Sequence, residues 1–356
     1  MRHENRCTTT DKEAEPPMMY VHYEPAVEAM AKGLSRFMRE ENAKHFAEIF
    51  AGNSLDGIYS HGMNRYPRYI GDMESGICDP SVTQAEKVGG YGALEVYDAH
   101  FGVGPLIAEQ MTKRTIELAK EHGIACVALR NNSHWLRAGR YGLMMADAGL
   151  MGICFTNTCM NLTAWGTLEP STGNNPITFA IPREKGSLVM DMAVSQYAYG
   201  KLEIMAQEGK MLDMPCGYDM EGKPTCDPKA IIESGKMSPM AMWKGSALSI
   251  MLDLCASMLS AGRTSRVIGL PADGEKGMSQ AFIAIHPAAV VDMQAVQAQM
   301  EETVEFLHSL PPMAGSRGVH APGEGLDKTR AKNRENGIPV TEETWARILQ
   351  AAKAEA

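Results

Sequence analysis

Ala93-Leu94-Glu95-Val96-Tyr97, followed by Gly102-Val103-Gly104-Pro105-Leu106-Ile107, is the stretch on which the reading of this chain turns. Its first five residues have the composition of a short strand. A helix is expected from Pro105 to Gly123, with Ile107, Met111, Thr115 and Leu118 on one face. Proline suits the first turn because its missing N–H would have no partner there, and glycine suits the residue past the last turn. A strand at Ile124–Leu129 follows. Strand, glycines and helix in this order invite comparison with the dinucleotide-binding turn, whose third glycine lets helix and strand approach. Here that third position is Ile107, so a dinucleotide, if bound, is not bound on a standard Rossmann turn.

Outward from this point, further β-type runs lie at Met151–Thr156, Ile177–Ile181, Leu188–Met192 and Ala281–Ile285. A helix is expected over 245–261, where Ala247, Ile250, Met251, Leu254, Cys255 and Met258 repeat at three and four. Both ends read as helical. Val27, Met30, Ala31, Leu34, Phe37 and Met38 fall at helical spacing near the start, as do Val296, Met300, Val304 and Leu307 near the end. Thr341 reads as an N-cap before Glu342 and Glu343, with Val340 packing on Trp345. The layout is α/β: a leader over 1–18, a helical domain from 19–92 and 289–356, and a 93–288 α/β domain with a mixed sheet.

The chain has 356 residues, 44% of them hydrophobic and 22% charged, ample for a sizeable core and unlike a disordered chain. No apolar run is long and uncharged enough to span a membrane, which needs about 20 residues. Net charge is −9 and no Lys/Arg run exceeds a pair, which argues against a nucleic-acid partner. The 27 Met against 8 Phe suggest a core filled by flexible side chains, with a Met-lined groove as the sharper alternative. The eight cysteines form no Cys-x-x-Cys pair, so no metal site is expected. The first 17 residues lack the apolar core of a secretory signal; with thiols read as reduced, the expected location is cytoplasmic.

Four segments could carry chemistry. Ser60-His61-Gly62-Met63-Asn64-Arg65, with Arg68 behind, sets a group that titrates near neutrality beside a fork that matches a carboxylate. Such a pair suits reduction of a 2-oxo acid: one group protonates the carbonyl oxygen while the other anchors the acid. From spacing alone the same residues also read as a loop histidine and a surface charge. Arg130-Asn131-Asn132-Ser133-His134-Trp135-Leu136-Arg137 follows a strand, where ligands often bind in α/β sheets, or is a solvated turn. Ser171-Thr172-Gly173-Asn174-Asn175-Pro176 permits close backbone approach, or simply turns into the next strand. Trp243-Lys244-Gly245-Ser246 opens a helix, where free amides favour an anion, or is a plain capping turn.

Taken together and in order, these segments resemble the malate/L-sulfolactate dehydrogenase-like family of NAD(P)-dependent 2-oxo acid reductases, from about Tyr23 to Leu349. Gly152-Ile153-Cys154-Phe155-Thr156-Asn157, the run from Gly277 to Ile285 and Asn333-Arg334-Glu335-Asn336-Gly337-Ile338 extend the resemblance. Trp135, Trp165 and Trp243 are similar to the branch acting on diketo sugar acids. The resemblance implies a non-Rossmann cofactor domain packed on a helical domain, a site between them and a homodimer. It implies His61 as proton donor, Arg65 as a substrate-side arginine, and His134 and Asp191 as polar neighbours of the reacting centre. Cofactor positions would be Ser187, Leu188, Val189, Met190, Asp191, Met192 and Ala193, then Trp243, Lys244, Gly323, Glu324 and Gly325. NADH is the expected cofactor, with NADPH open, and the substrate a small oxo sugar acid reduced at C2. The alternative is another 2-oxo acid of malate, lactate or ureidoglycolate type; a sugar-acid binder without turnover and a metal hydrolase rank below. Asn174, Thr163-Ala164 and Gly323-Glu324-Gly325 depart from the family pattern.

Overall fold

The computed structural model describes residues 18–271, 274–316 and 318–354. Of the leader expected over 1–18, all but Met18 lies outside these residues. Met18 opens β1 (Met18–Val21), which pairs antiparallel with β9 (Ile338–Thr341), so the two ends of the described chain are stitched together.

Seven strands form the central sheet: β2 (Glu86–Tyr91), β3 (Leu94–Asp98), β4 (Ile124–Asn132), β5 (Met151–Thr156), β6 (Ile177–Ile181), β7 (Leu188–Met192) and β8 (Met278–Ile285). Their order is β2-β3-β4-β8-β5-β6-β7. Only β3 and β4 run parallel, joined by the expected helix, α4 (Gly104–His122), which stops at Gly123 with φ +83°. Every other neighbouring pair is antiparallel, so the sheet is mixed. β8 is central and buried on both faces. Phe282 and Ala284 point into one core, Ala281 and Ile283 into the other, as a two-residue repeat requires.

α4 and α5 (Ala138–Asp147) cover the first face, around Trp135, Tyr141 and Phe282. α6 (Trp243–Ser260) covers the second, with Leu252 and Ala256 inward. A separate helical core joins α1 (Tyr23–Leu34), α2 (Glu40–Leu55), α3 (Tyr66–Glu74) and α9 (Glu342–Lys353). Phe46, Phe50, Tyr66 and Tyr69 pack edge to face at its centre. Thr341 caps α9 by accepting from the Thr344 N–H. Residues 86–91, drawn with the helical part in the sequence reading, form an edge strand of the sheet. α7 (Met293–Ser309) lies against the opposite edge, where Gln297 Nε2 donates to Pro182 O and Glu301 meets Arg183 and Lys185.

The Gly102-x-Gly104 pair serves close packing. A Cβ on Gly104 would meet Ser133 O at 2.5 Å, and its N–H donates to Ser133 Oγ at 2.8 Å. Ser133 Oγ also bonds Tyr69 Oη at 2.7 Å, which ties α3 to the end of β4. Cys226 is disulfide-bonded, so the expectation of reduced thiols throughout does not hold there; among the described residues six other cysteines are free. Among the described residues no helix is long and apolar enough to cross a membrane.

Candidate active site

A cavity of about 620 Å³ lies between the helical core and the ends of the sheet strands, within the usual range for small-molecule sites. The turn after α2 brings His61 and Arg65 to it, and α3 adds Arg68. This turn is pressed onto α2: Ser54 Oγ accepts the Met63 N–H at 2.8 Å, and Asn53 Nδ2 donates to His61 O at 2.9 Å. Only glycine fits between, since a Cβ on Gly62 would stand 2.0 Å from Ser54 Oγ.

His134 and Arg137 enter from the bend after β4. Leu136 takes φ +65° there, a conformation costly for a side chain with a Cβ. Two features hold it: its side chain is buried in the helical core, and its N–H donates to His134 Nδ1 at 3.0 Å. That bond makes Nδ1 an acceptor and leaves the His134 proton on Nε2. The His61 and His134 rings stack with centroids 5.7 Å apart, and Ser60 Oγ lies 2.9 Å from His61 Nδ1.

Charge at the site comes in two buried groups. Glu275 accepts from Arg65 Nη2 at 2.6 Å and lies 3.5 Å from Arg68. Burial alone would raise its pKa, yet Arg65, His134 and Arg68 bring it down to about 2, so it is ionised. Asp56 joins Arg137 at 2.5 Å and Arg330 at 2.6 Å. Burial, with Arg65 and Arg137 nearby, lowers His61 to about 4 against the pull of Glu275. His134 is likewise held well below its usual range, by burial first and then by Arg65. Asp191 is open to the cavity but deep in the protein; burial raises its pKa against the Gly139 N–H, which it accepts at 2.7 Å, and Thr178 Oγ1 at 3.1 Å. It thus caps the start of α5.

Of the residues singled out from sequence, the cavity wall brings together His61, Arg65, His134, Asp191, Val189, Met192, Ala193 and Gly323. Ser187, Leu188, Met190, Glu324 and Gly325 lie outside that wall. Met190 packs against the α6 core, as Met192 also does, but only Met192, at the strand's end, reaches the cavity. Glu324 accepts the Ala321 N–H and pairs with His308, and Gly325 precedes the helix α8 (Leu326–Asn336) with φ +90°. Trp243 and Lys244 are exposed on α6, and Met240 reaches the cavity in their place. Asn174 also faces the cavity, where its side chain accepts from Thr158 Oγ1 at 2.9 Å. Glu275 escaped the sequence reading; its one signal is an acid between two glycines, Gly274 and Gly277, both at φ +83°. Arg137 was quoted within a segment and given no role. Among the described residues no group of three or more His, Cys, Asp or Glu could hold a metal ion.

The profile of the malate/L-lactate dehydrogenase family matches residues 21–349. The chain belongs to that family. It is accordingly an oxidoreductase acting on 2-oxo acids, of a pyridine-nucleotide-dependent kind. Relatives 38% identical, over 88% of this chain and 94% of theirs, are the 2,3-diketo-L-gulonate reductases of Mannheimia succiniciproducens and Escherichia coli K12. Among solved structures, malate dehydrogenase from Entamoeba histolytica superposes with TM-score 0.88 at 25% identity, over 96% of this chain and 99% of that one. Sulfolactate dehydrogenase from Methanocaldococcus jannaschii gives 0.84 at 26%, over 94% and 96%. The mixed sheet without a Rossmann turn is therefore the family's fold. The cavity suits the nicotinamide end of the cofactor: Val189, Met192, Ala193 and Leu326 offer an apolar wall, and Gly323 lies so close to Val189 that a Cβ would stand 3.0 Å from its backbone N.

Proposed function

We propose that this chain reduces 2,3-diketo-L-gulonate at C2 to 3-dehydro-L-gulonate, with NADH as the preferred cofactor. The observation that carries the reading is the convergence of His61, Arg65 and Arg68 on one cavity with a single carboxylate, Glu275, between the two arginines. Arg68 also meets Glu203 at 3.9 Å, so what the two guanidinium groups offer a substrate carboxylate is a cluster of N–H donors rather than a surplus of charge. Val189, Met192 and Ala193 would hold the nicotinamide, which supplies the hydride when bound.

His61 then donates its proton to the oxygen left on C2. With its titration near 4 it is neutral at neutral pH in the free protein. Burial is the main cause of that neutrality and Arg65 the next; a substrate carboxylate beside Arg65 offsets only the second, in the direction that lets His61 take up the proton it delivers. His134, fixed with its proton on Nε2, donates a hydrogen bond and keeps the second ring in place. A well-placed general acid contributes about 100- to 10,000-fold.

We further propose a homodimer in the cytoplasm. α6 exposes Trp243, Ile250, Met251, Leu254 and Met258 along one side, an apolar stripe that a second copy would cover. The test is a panel of 2-oxo acids with NADH and NADPH, followed by loss of reduced-cofactor absorbance and product identification. Efficient turnover of the diketo sugar acid is expected. Turnover confined to malate-, lactate- or ureidoglycolate-type acids would transfer the chain to the simpler substrates.

A further inference from the structure

β5, β6 and β7 are neighbours that alternate in direction, so the exit of β5, the entry to β6 and the exit of β7 lie side by side. This edge brings Thr156, Thr158, Asn161, Asn174, Ser195 and Gln196 to the cavity wall, all neutral and polar. The chemistry at His61 uses none of them. Val194 N–H donates to Asn174 O at 2.8 Å, so the polar strip begins where the apolar wall at Met192 and Ala193 stops. Thr158 leads into Cys159, whose Sγ lies 3.9 Å from Glu275 Oε1, so the strip also adjoins the arginine cluster.

Asn174 presents a donor on this strip. Its backbone N–H donates to Asn161 Oδ1 at 2.8 Å, which makes the other end of the Asn161 amide, Nδ2, a donor. Asn161 Nδ2 and Thr158 Oγ1 both donate to Asn174 Oδ1, at 3.4 and 2.9 Å. The Asn174 amide is thereby fixed, and its Nδ2 has no acceptor among the described residues. The side chain lines the cavity and is half-buried, so a ligand can reach it. The strip itself carries no charge. The charged groups of the cavity pair elsewhere: Arg65 and Arg68 among Glu275, Glu203 and Asp72, and Arg137 with Asp56 and Asp191. Glu275, beside Cys159, is ionised and disfavours a second carboxylate here. Amides and hydroxyls without charge suit the hydroxyls of a neutral tail, each of which both donates and accepts.

We infer that this strip is the subsite for the hydroxylated tail of the substrate, C4 to C6 of the diketo sugar acid, and that Asn174 determines specificity by donating from Nδ2 to a tail hydroxyl. This rests on the 2,3-diketo-L-gulonate reductase reading above. 2,3-Dioxohexanoate is the same acid without its tail hydroxyls and serves as the probe beside 2,3-diketo-L-gulonate. The wild-type enzyme is expected to favour the hydroxylated acid in kcat/KM by ~10-fold or more, since each net hydrogen bond is worth ~2- to 10-fold. Asn174→Ala keeps the backbone bonds to Asn161 and Val194, and Thr158 Oγ1 retains Cys159 O and Asn175 Oδ1 as acceptors, each at 3.3 Å. It should lower kcat/KM for the hydroxylated acid by ~3- to 10-fold, while 2,3-dioxohexanoate and KM for NADH stay within about twofold. Equal losses on both acids, a KM for NADH raised in step with them, or no loss at all would overturn the role of Asn174. Should Asn174→Ala not fold, the wild-type ratio still decides: equal efficiency on the two acids ends the inference. A wild-type enzyme that reduces neither would instead remove the functional reading beneath it.

Discussion

Replacing Gly62 by alanine tests whether the His61 turn is built as described. An ideal Cβ there stands 2.0 Å from Ser54 Oγ, 2.8 Å from Ser54 N and 3.0 Å from Phe50 O. Ordinary contact begins near 3.4 Å. The Ser54 hydroxyl can rotate away, but it then abandons the Met63 N–H it holds at 2.8 Å. The two backbone atoms of α2 cannot rotate; clearing Ser54 N alone needs 3.4 − 2.8 = 0.6 Å of movement. The turn must therefore shift, and with it His61 and Arg65. An overpacked site of this kind costs about 1–3 kcal/mol of stability. A displacement approaching 1 Å at a reacting group costs on the order of 100-fold in turnover. Thermal melting and kcat on the diketo acid report the two effects separately. Gly71→Ala is the control: it lies inside α3 with nothing within 4 Å of its Cβ, and should gain about 0.5–1 kcal/mol. If Gly62→Ala melts and turns over like the wild type, the turn does not rest on α2 and the placement of His61 is wrong.

His61→Ala should cut turnover by about 100- to 10,000-fold while NADH binding, read by fluorescence titration, stays nearly unchanged; unaltered turnover would remove the imidazole from the reaction. The same histidine makes stability depend on acid. Its folded pKa of about 4 lies below its usual 6.5, so its contribution is full above pH 6.5 and is lost as pH falls toward 4, by roughly 3 kcal/mol at most. Urea midpoints should fall across that window and flatten in His61→Asn; parallel curves would contradict the buried neutral ring. Leu254→Glu on the exposed side of α6 should give a monomer by light scattering with its fold intact, and a variant that stays dimeric would place the interface elsewhere.

The helices and most strands were legible because their signals are local. Pro105 and Gly123 bracket α4, Thr341 caps α9, and β5, β6 and β7 fall where β-type runs were read. β2 was missed: Glu86-Lys87-Val88-Gly89-Gly90-Tyr91 is polar and glycine-rich, and its pairing with β3 supplies what composition does not. Trp243 and Lys244 read as a ligand-binding helix start, but a helix terminus says nothing about which way it faces.

The residues by themselves determined the α/β layout, the failure of the Rossmann turn at Ile107, and the pairing of an imidazole with a guanidinium four residues on. Periodicity and capping act over a few residues, so they survive in a one-dimensional reading. The tertiary structure alone decided which charges meet. Glu275 reaches Arg65 across 210 positions, and Asp56 reaches Arg137 across 81. Those ion pairs set the charge around His61, because burial strengthens the interaction between charges that no sequence spacing brings together.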